Sequence, residues 1–413
     1  MNKTAICLMA NKVYKFALAT MLINLKETNN DQYDNVIVYH DGFSQTELDD
    51  LSLLEPRVKF IEYTFEKWNQ EHSVLLGDKA NNFLNRFSHL AWSKYKIIEQ
   101  LEHYEKVLYL NLDMLVSGSL EGLFKLDGIA WRNGANFGEK FSTNGLKVKN
   151  IAEVSNIPES TPAPNGGLLC VTNTIDWKKN LIEAKYFIER FINDFSFALD
   201  ELAFSYIYVK NNLKLTQLSA YEYNVLPQHL NPSCKVIHFI GQFKPWKDLI
   251  IQAEFPKWFE YYQKACLLTD NRISSEQVQE YPKDGKYLTK RLNEQRWFSF
   301  LREANLNIPQ SLRLRYVFDN EWLIFECNSK VYYEFKFHQY AQGFLMGMWV
   351  KDLYKEPEIK REIDNLVGKN PRLFRLHEDH RGLYIYSTKF SALEIAPVFK
   401  DFYERTSKLF NIK

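Results

Sequence analysis

Four short segments hold the side chains of this chain that could do chemistry. The first is Tyr109-Leu110-Asn111-Leu112-Asp113-Met114-Leu115-Val116, an Asn-x-Asp at the end of an apolar strand. Two oxygen ligands spaced in this way can face one divalent ion. The same residues read equally as a turn, because Asn and Asp are common after strands. The second runs from Val236 to Trp246. A His inside an apolar strand is more often a satisfied core residue than a ligand, but here Gly241 follows His238 by three positions and Lys244 by six. Glycine permits close backbone approach and lysine offers a point charge suited to phosphate. The spacing lets His238 and Lys244 face a pyrophosphate across one turn. The third segment is Asn165-Gly166-Gly167, ordinary turn chemistry that would also let a backbone and a carboxamide approach a sugar. The fourth is Asp200-Glu201, a carboxylate pair opening a helix, a position that capping and the helix dipole favour by themselves.

The elements that must carry these segments alternate along the first part of the chain. Ala5–Met9 is a strand, and Phe16, Ala17, Ala19, Leu22 and Leu25 recur at helical spacing after it. Val36–Tyr39 is a strand closed by His40-Asp41-Gly42, Thr46–Leu54 a helix, Val58–Tyr63 a strand and His89–Leu101 a helix. Lys106–Leu110 is almost entirely apolar, as in a strand buried on both faces. This alternation predicts a parallel sheet covered on both sides, with ligands beyond the carboxyl ends of its strands. A loop-rich zone holding Trp131-Arg132-Asn133-Gly134 follows. Strand Leu168–Thr172, helices Trp177–Phe195 and Asp200–Val209, strand Val236–Ile240 and helix Trp258–Leu267 complete the unit.

The polar stretch Thr269–Lys286 marks a boundary, and the rhythm then changes. Ser311–Phe318, Trp322–Cys327 and Val331–His338 are strands split by short polar links, which predicts an antiparallel meander. Helices at Gln342–Leu353 and Lys355–Val367, a hairpin at Phe374–Thr388 and a closing helix at Leu393–Leu409 follow. The aromatics Tyr316, Trp322, Tyr332 and Tyr333 would stack on sugars or fill a core, the commoner use of such residues. The last helix is weakly amphipathic and basic, which suits packing on its own domain or touching an anionic membrane.

Composition narrows the function class. In 413 residues, 52 Lys and Arg balance 51 Asp and Glu, a formal charge of +1 that argues against a nucleic-acid binder. No run reaches the ~18 apolar residues of a membrane span. The start has no long apolar stretch and no small-residue cleavage site, so no signal peptide is expected. Cys7, Cys170, Cys234, Cys266 and Cys327 are scattered without metal spacing and read as reduced thiols of a cytoplasmic protein.

Taken together in this order, the four segments resemble glycosyltransferase family 8, retaining enzymes of the GT-A fold that use nucleotide sugars. The pattern H-F-x-G-x-x-K-P-W is met in full by His238–Trp246. Y-L-D-x-D-x-L-V is met by Tyr109–Val116, with Asn111 in place of the first Asp. Asn165-Gly166-Gly167-Leu168, Asp200–Ser205 and Ala10-Asn11-Lys12-Val13-Tyr14 are similar to three further family elements, over roughly residues 3–265. The resemblance implies an α/β GT-A (Rossmann-like, nucleotide-sugar-binding) catalytic domain at 1–267. A linker at 268–285 and a smaller α+β domain with the meander at 286–413 would follow. It implies that Ala10, Asn11 and Tyr14 hold the base and ribose, and that Lys94 approaches the phosphates or ribose. Asn111, Asp113 and His238 would bind Mn²⁺ or Mg²⁺ with the diphosphate, Leu112, Gly241 and Lys244 would line that nucleotide site, and Gly167 would lie beside the sugar. Asn165 and Asp200 would hold the donor sugar, and Glu201 stands where the family usually has Gln, nearest the anomeric carbon. The expected reaction is transfer of a hexose from UDP-galactose or UDP-glucose to a glycan or glycolipid. It would serve bacterial lipopolysaccharide or capsule synthesis, in the cytoplasm or at the inner membrane face. Asn111 removes a negative charge from the metal site and should weaken it, and Lys12 replaces an acidic residue near the base. A catalytically degenerate nucleotide-sugar- or glycan-binding protein is the alternative that Asn111 motivates.

Overall fold

The computed structural model describes residues 3–227, 232–241, 244–247, 251 and 254–269, and beyond them 313–317, 322–328, 331–338, 343–351, 357–369, 375–379, 382–386 and 392–408. Two compact units divide the chain: Met1–Leu226 with Ser233–Gln279, and Pro227–Pro232 with Glu280–Lys413. The expected linker lies, from residue 270 on, outside the described residues.

In the first unit the order is β1 (Thr4–Asn11), α1 (Lys15–Asn29), β2 (Asn35–Asp41), α2 (Gln45–Leu54) and β3 (Val58–Glu62). Helices α3 (Phe65–His72), α4 (Asp78–Arg86) and α5 (His89–Trp92) follow, then β4 (Lys106–Leu110), β5 (Met114–Val116), β6 (Ile129–Asn136) and α6 (Phe137–Thr143). The unit closes with β7 (Pro162–Thr172), α7 (Trp177–Phe191), α8 (Leu199–Lys210), β8 (Leu215–Gln217), β9 (Val236–His238) and α9 (Pro256–Leu268). Seven strands form one sheet in the order β3-β2-β1-β4-β7-β6-β8. Strands β1 to β4 run parallel, and β8 runs parallel to β6. β7 is antiparallel to both its neighbours, so the sheet is mixed rather than wholly parallel as the alternation suggested. The chain builds outward from β1 through β2 to β3, then returns to β1's other side with β4. That reversal opens a crevice beyond the carboxyl ends of β1 and β4.

Local chemistry explains most of the elements. α1 is buried along nearly its whole length from Phe16 to Leu25, because α9 and β5 pack on it as well as the sheet. α2 begins with a capping box, in which Ser44 accepts the Glu47 N–H and Glu47 accepts the Ser44 N–H. The expected helix His89–Leu101 is helical only to Trp92 and tightens to 3₁₀ winding over Ser93–Glu102. The Trp131–Gly134 zone is not a loop. Arg-Asn-Gly-Ala-Asn reads as turn chemistry, but pairing with β7 holds it in β6 through two register shifts. For the same reason Asn165-Gly166-Gly167 lies within β7 rather than in a turn before it. Aromatics fill the core: Trp68, Trp92, Trp131, Phe137 and Phe141 are each buried, with Trp68 and Trp92 centred 5.5 Å apart.

The second unit holds one antiparallel sheet in the order β10-β11-β12-β13-β15-β14, from β10 (Arg313–Val317), β11 (Trp322–Asn328), β12 (Val331–His338), β13 (Gly343–Lys351), β14 (Arg375–Asp379) and β15 (Gly382–Tyr386). Its helices are α10 (Pro357–Lys369) and α11 (Ala392–Ser407). The expected helix Gln342–Leu353 is instead strand β13. Its Leu and Met residues favour helix, but it pairs with β12 along its length and with β15 beyond, and ladder hydrogen bonds override a weak propensity. Phe399 and Phe402 of α11 are buried, and Phe399 lies against Phe325 and Phe335 of the sheet. Tyr333 is buried and shares a 2.5 Å hydrogen bond with Thr406, while Tyr332 is half-buried. The side chains of Tyr316 and Trp322 fall outside the described residues. Among the described residues, no helix is long and apolar enough to cross a membrane. Cys7 and Cys170 are buried, and neither they nor Cys234 form a disulfide among the described residues.

Candidate functional site

Strand β4 ends at Leu110, and the chain turns through Asn111-Leu112-Asp113 into β5. The short antiparallel pair β5–β9 sets Met114 opposite His238, and the Phe239 N–H donates to the Asp113 carbonyl at 2.8 Å. Register alone therefore joins two segments that stand 125 residues apart. His238 Nε2 lies 3.1 Å from Asp113 Oδ1, and Lys244 pairs with Asp113 Oδ2. Lys244 also donates to the Phe239 carbonyl at 2.5 Å. Gly241, at φ +65°, begins a turn after β9 that suits glycine, and Lys244 reaches back to the Phe239 carbonyl. Trp246 anchors that turn, buried with its ring centred 5.3 Å from Phe16, 6.0 Å from Tyr14 and 5.5 Å from Trp258. Burial pushes the Asp113 carboxyl up, but the charge of Lys244 outweighs it and holds it well below the usual carboxylate range.

Asn224, a residue the sequence did not single out, organises the centre. Its side chain sits on backbone at φ +56°, a conformation Asn tolerates better than most residues. Its Nδ2 donates to the Asn165 carbonyl at 3.2 Å and to Asn165 Oδ1 at 3.0 Å. That leaves Asn224 Oδ1 to accept from His238 Nδ1 at 2.7 Å. The proton on Nδ1 makes Nε2 the free lone pair, aimed at Asp113. Burial lowers the His238 pKa against the pull of Asp113, which also favours the neutral ring. Two acceptors 3.1 Å apart repel unless a cation or a proton stands between them. The donor set of one carboxylate and one oriented imidazole therefore fits a divalent ion. Asn111 fits less directly. Its Oδ1 accepts the Tyr109 hydroxyl at 2.7 Å and its Nδ2 faces His238 Nε2 at 3.3 Å, so ligation requires the amide to turn over. Among the described residues no three His, Cys, Asp or Glu side chains gather as a metal site.

The second cluster lies on the 3₁₀ segment and α8. Lys94 Nζ is 2.8 Å from Asp200 Oδ2 and 5.6 Å from the Tyr109 ring centre. Burial raises the Asp200 pKa and Glu201 adds to that, with Lys94 opposing both. Glu201 has neither oxygen free: Oε1 accepts the Gly166 N–H at 2.5 Å and Oε2 pairs with Lys140 of α6. Lys140, buried, also donates to the Pro164 carbonyl at 2.8 Å. Sequence reading missed Lys140. The available signal was Glu201 itself, since an added charge in a half-buried place requires a counter-ion.

Strand β7 joins the two clusters. Asn165 is held by Asn224, Gly166 by Glu201, and Gly167 packs against His238. A Cβ on Gly167 would overlap the imidazole, so only glycine fits there. The Asn111 N–H donates to the Gly167 carbonyl at 2.9 Å, tying β7 to the Asn-x-Asp turn. Ala10 and Asn11 end β1, and Asn11 Oδ1 caps the following turn by accepting the Tyr14 N–H at 3.3 Å. Burial, and then the charge of Asp113, raise the Tyr14 phenol, which faces the same crevice. Leu112 is half-buried between Asn111 and Asp113, and Gly241 is exposed.

Comparison with known proteins adds three findings. Residues 5–249 match the family described as Glycosyl transferase family 8. Among solved structures, the galactosyltransferase LgtC in complex with donor and acceptor sugar analogs is similar at 13% identity, over 68% of this chain and 98% of that one, with a TM-score of 0.46. The bifunctional glycosyltransferase WbbM (12% identity, 66% and 52% covered, TM-score 0.46) and GlyE of Streptococcus pneumoniae TIGR4 (17%, 68% and 66%, 0.42) are similar as well. No curated protein matches.

Proposed function

Since this chain belongs to glycosyl transferase family 8 and is therefore a retaining glycosyltransferase with a nucleotide-sugar donor, we propose that it transfers a hexose from UDP-galactose or UDP-glucose to a glycan or glycolipid acceptor. Bacterial lipopolysaccharide or capsule synthesis is the setting we propose for it. The observation that supports this reading best is the convergence of Asp113, His238 and Lys244 beside the Lys94–Asp200 pair, at the crevice beyond β1 and β4.

In this reading Ala10, Asn11 and Tyr14 receive the base and ribose. Asp113 and His238 would hold Mn²⁺ or Mg²⁺, with Asn111 joining after its amide turns. Bound there, the ion would neutralise charge growing on the diphosphate. Lys244 contributes to the same end once the diphosphate draws it from Asp113. Asn165 and Asp200 orient the sugar, and Asp200 stabilises positive charge at the anomeric carbon. The C1–O bond to phosphate breaks with its electron pair going to the phosphate oxygen. The acceptor hydroxyl attacks from the same face, and its proton passes to that departing oxygen. A double displacement through Glu201 is disfavoured, because Lys140 and the Gly166 N–H already occupy its oxygens.

The test is release of UDP from a panel of UDP-hexoses with Mn²⁺ and acceptor. Asp113→Ala and His238→Ala should each be at least ~100-fold slower. Full turnover in both variants, or in excess chelator, defeats the metal assignment. Absence of UDP release with UDP still bound favours the degenerate binding protein.

A further inference from the structure

Three cations of the site are matched by carboxylates: Lys94 by Asp200, Lys140 by Glu201 and Lys244 by Asp113. A fourth, Arg132 of β6, has none among the described residues. Its one hydrogen bond among the described residues runs from Nη1 to the Asn224 carbonyl at 3.1 Å. Nε is fully buried and has no hydrogen-bond partner among them. Burial lowers the guanidinium pKa, with only Tyr221 pulling it back. The Nε–Nη2 edge, the fork that grips a carboxylate or phosphate with two parallel bonds, is thus without an acceptor among the described residues. A buried charge left uncompensated is costly, and a ligand that supplies the counter-charge removes the cost.

The position is equally informative. Arg132 falls in the register shift between Trp131 and Asn133, an irregularity of the kind that re-aims a side chain beside an active site. Trp131 faces the aromatic core, and Arg132 reaches Asn224, the residue that orients both Asn165 and His238. This is the sugar side of the cluster, with Asn224 and His238 between Arg132 and the Asp113–Lys244 pair. A hexose donor is neutral there. Resting on the transferase reading above, we propose that Arg132 binds an anionic group, a phosphate or a carboxylate, on the acceptor sugar, so that the enzyme selects a charged acceptor.

Calorimetric titration of the full chain, with and without excess UDP and Mn²⁺, tests this with methyl β-glucoside, methyl β-glucuronide and glucose 6-phosphate. At least one anionic probe should bind ~10-fold or more tightly than the neutral one. Arg132→Gln should abolish that preference, and Arg132→Lys, which keeps the charge and loses the fork, should retain part of it. Thermal melts of both variants establish that they fold. Equal binding of neutral and anionic probes, or a preference that survives in Arg132→Gln, overturns the proposal. A preference for UDP-glucuronate over UDP-glucose that Arg132→Gln removes would put the anion on the donor and overturn it too. UDP binding, measured first, reports separately on the transferase reading: a chain that binds no UDP refutes that reading, whereas the Arg132 comparison stands on the probes.

Discussion

Lys140→Met removes the counter-ion of Glu201 and the donor to the Pro164 carbonyl in one step. The two side chains are 8% and 17% exposed, so neither charge is well hydrated once alone. Breaking a fully buried pair costs about 3–5 kcal/mol, and an exposed one at most ~1 kcal/mol. The residual exposure of Glu201 sets the expectation between them, at about 2–3 kcal/mol. At roughly 2–4 °C per kcal/mol for a unit of this size, the melting temperature should fall by ~4–12 °C. Glu201→Gln should cost a similar amount by stranding Lys140. The double variant, with no buried charge left, should recover to within ~1 kcal/mol of the parent, a coupling that additive effects cannot mimic. Scanning calorimetry of the four proteins measures it. Single variants within ~0.5 kcal/mol of the parent, or strictly additive losses, would refute the ion pair as the organiser of β7. Turnover supplies a second reading. If Glu201 only positions Gly166, Glu201→Gln keeps transfer within ~10-fold, whereas a covalent nucleophile would lose it almost entirely.

Three further outcomes follow from the same geometry. Gly167→Ala should drive the His238 ring off Asp113, costing about 1–3 kcal/mol of overpacking and more than ~10-fold in turnover; wild-type kinetics in that variant would show that the contact is not needed. Asn224→Ala should weaken Mn²⁺ binding ~10–100-fold by freeing His238 Nδ1, as read by paramagnetic titration, and unchanged affinity would remove Asn224 from the site. His72, buried against Trp68, has its pKa pushed down to about 4 by burial, despite the opposing pull of Glu189 and Glu71. Its neutral form is stabilising above the unfolded value near 6.5, and that contribution is lost as pH falls toward 4. The loss is about 3 kcal/mol at full protonation. Melting curves from pH 7.5 to 4 should fall less steeply for His72→Gln, and parallel curves would contradict the assignment.

Much of the catalytic half was legible in the chain because its signals are local. Lys106–Leu110 is apolar throughout, as a central strand must be, and the turn chemistry of Asn111-Leu112-Asp113 marks where it ends. The spacing from His238 to Lys244 depends on a single turn, which Gly241 permits. β13 was not legible, because its Leu and Met residues suit helix and only its partners β12 and β15 decide otherwise. β6 was hidden for a related reason: Arg132-Asn133-Gly134 looks like a turn until β7 pairs with it.

The sequence by itself determined the family, the α/β order of the catalytic unit and the residue types at the crevice, since each rests on short-range pattern. The tertiary structure decided how those residues are used. A three-residue pairing of β5 with β9 brings Asp113 to His238, and Asn224 selects the tautomer that points the ring at it. Lys140 occupies Glu201, and Arg132 is left without a counter-ion among the described residues. Such partnerships are set by strand register and by the desolvation of charges, which depend on residues far apart in the chain.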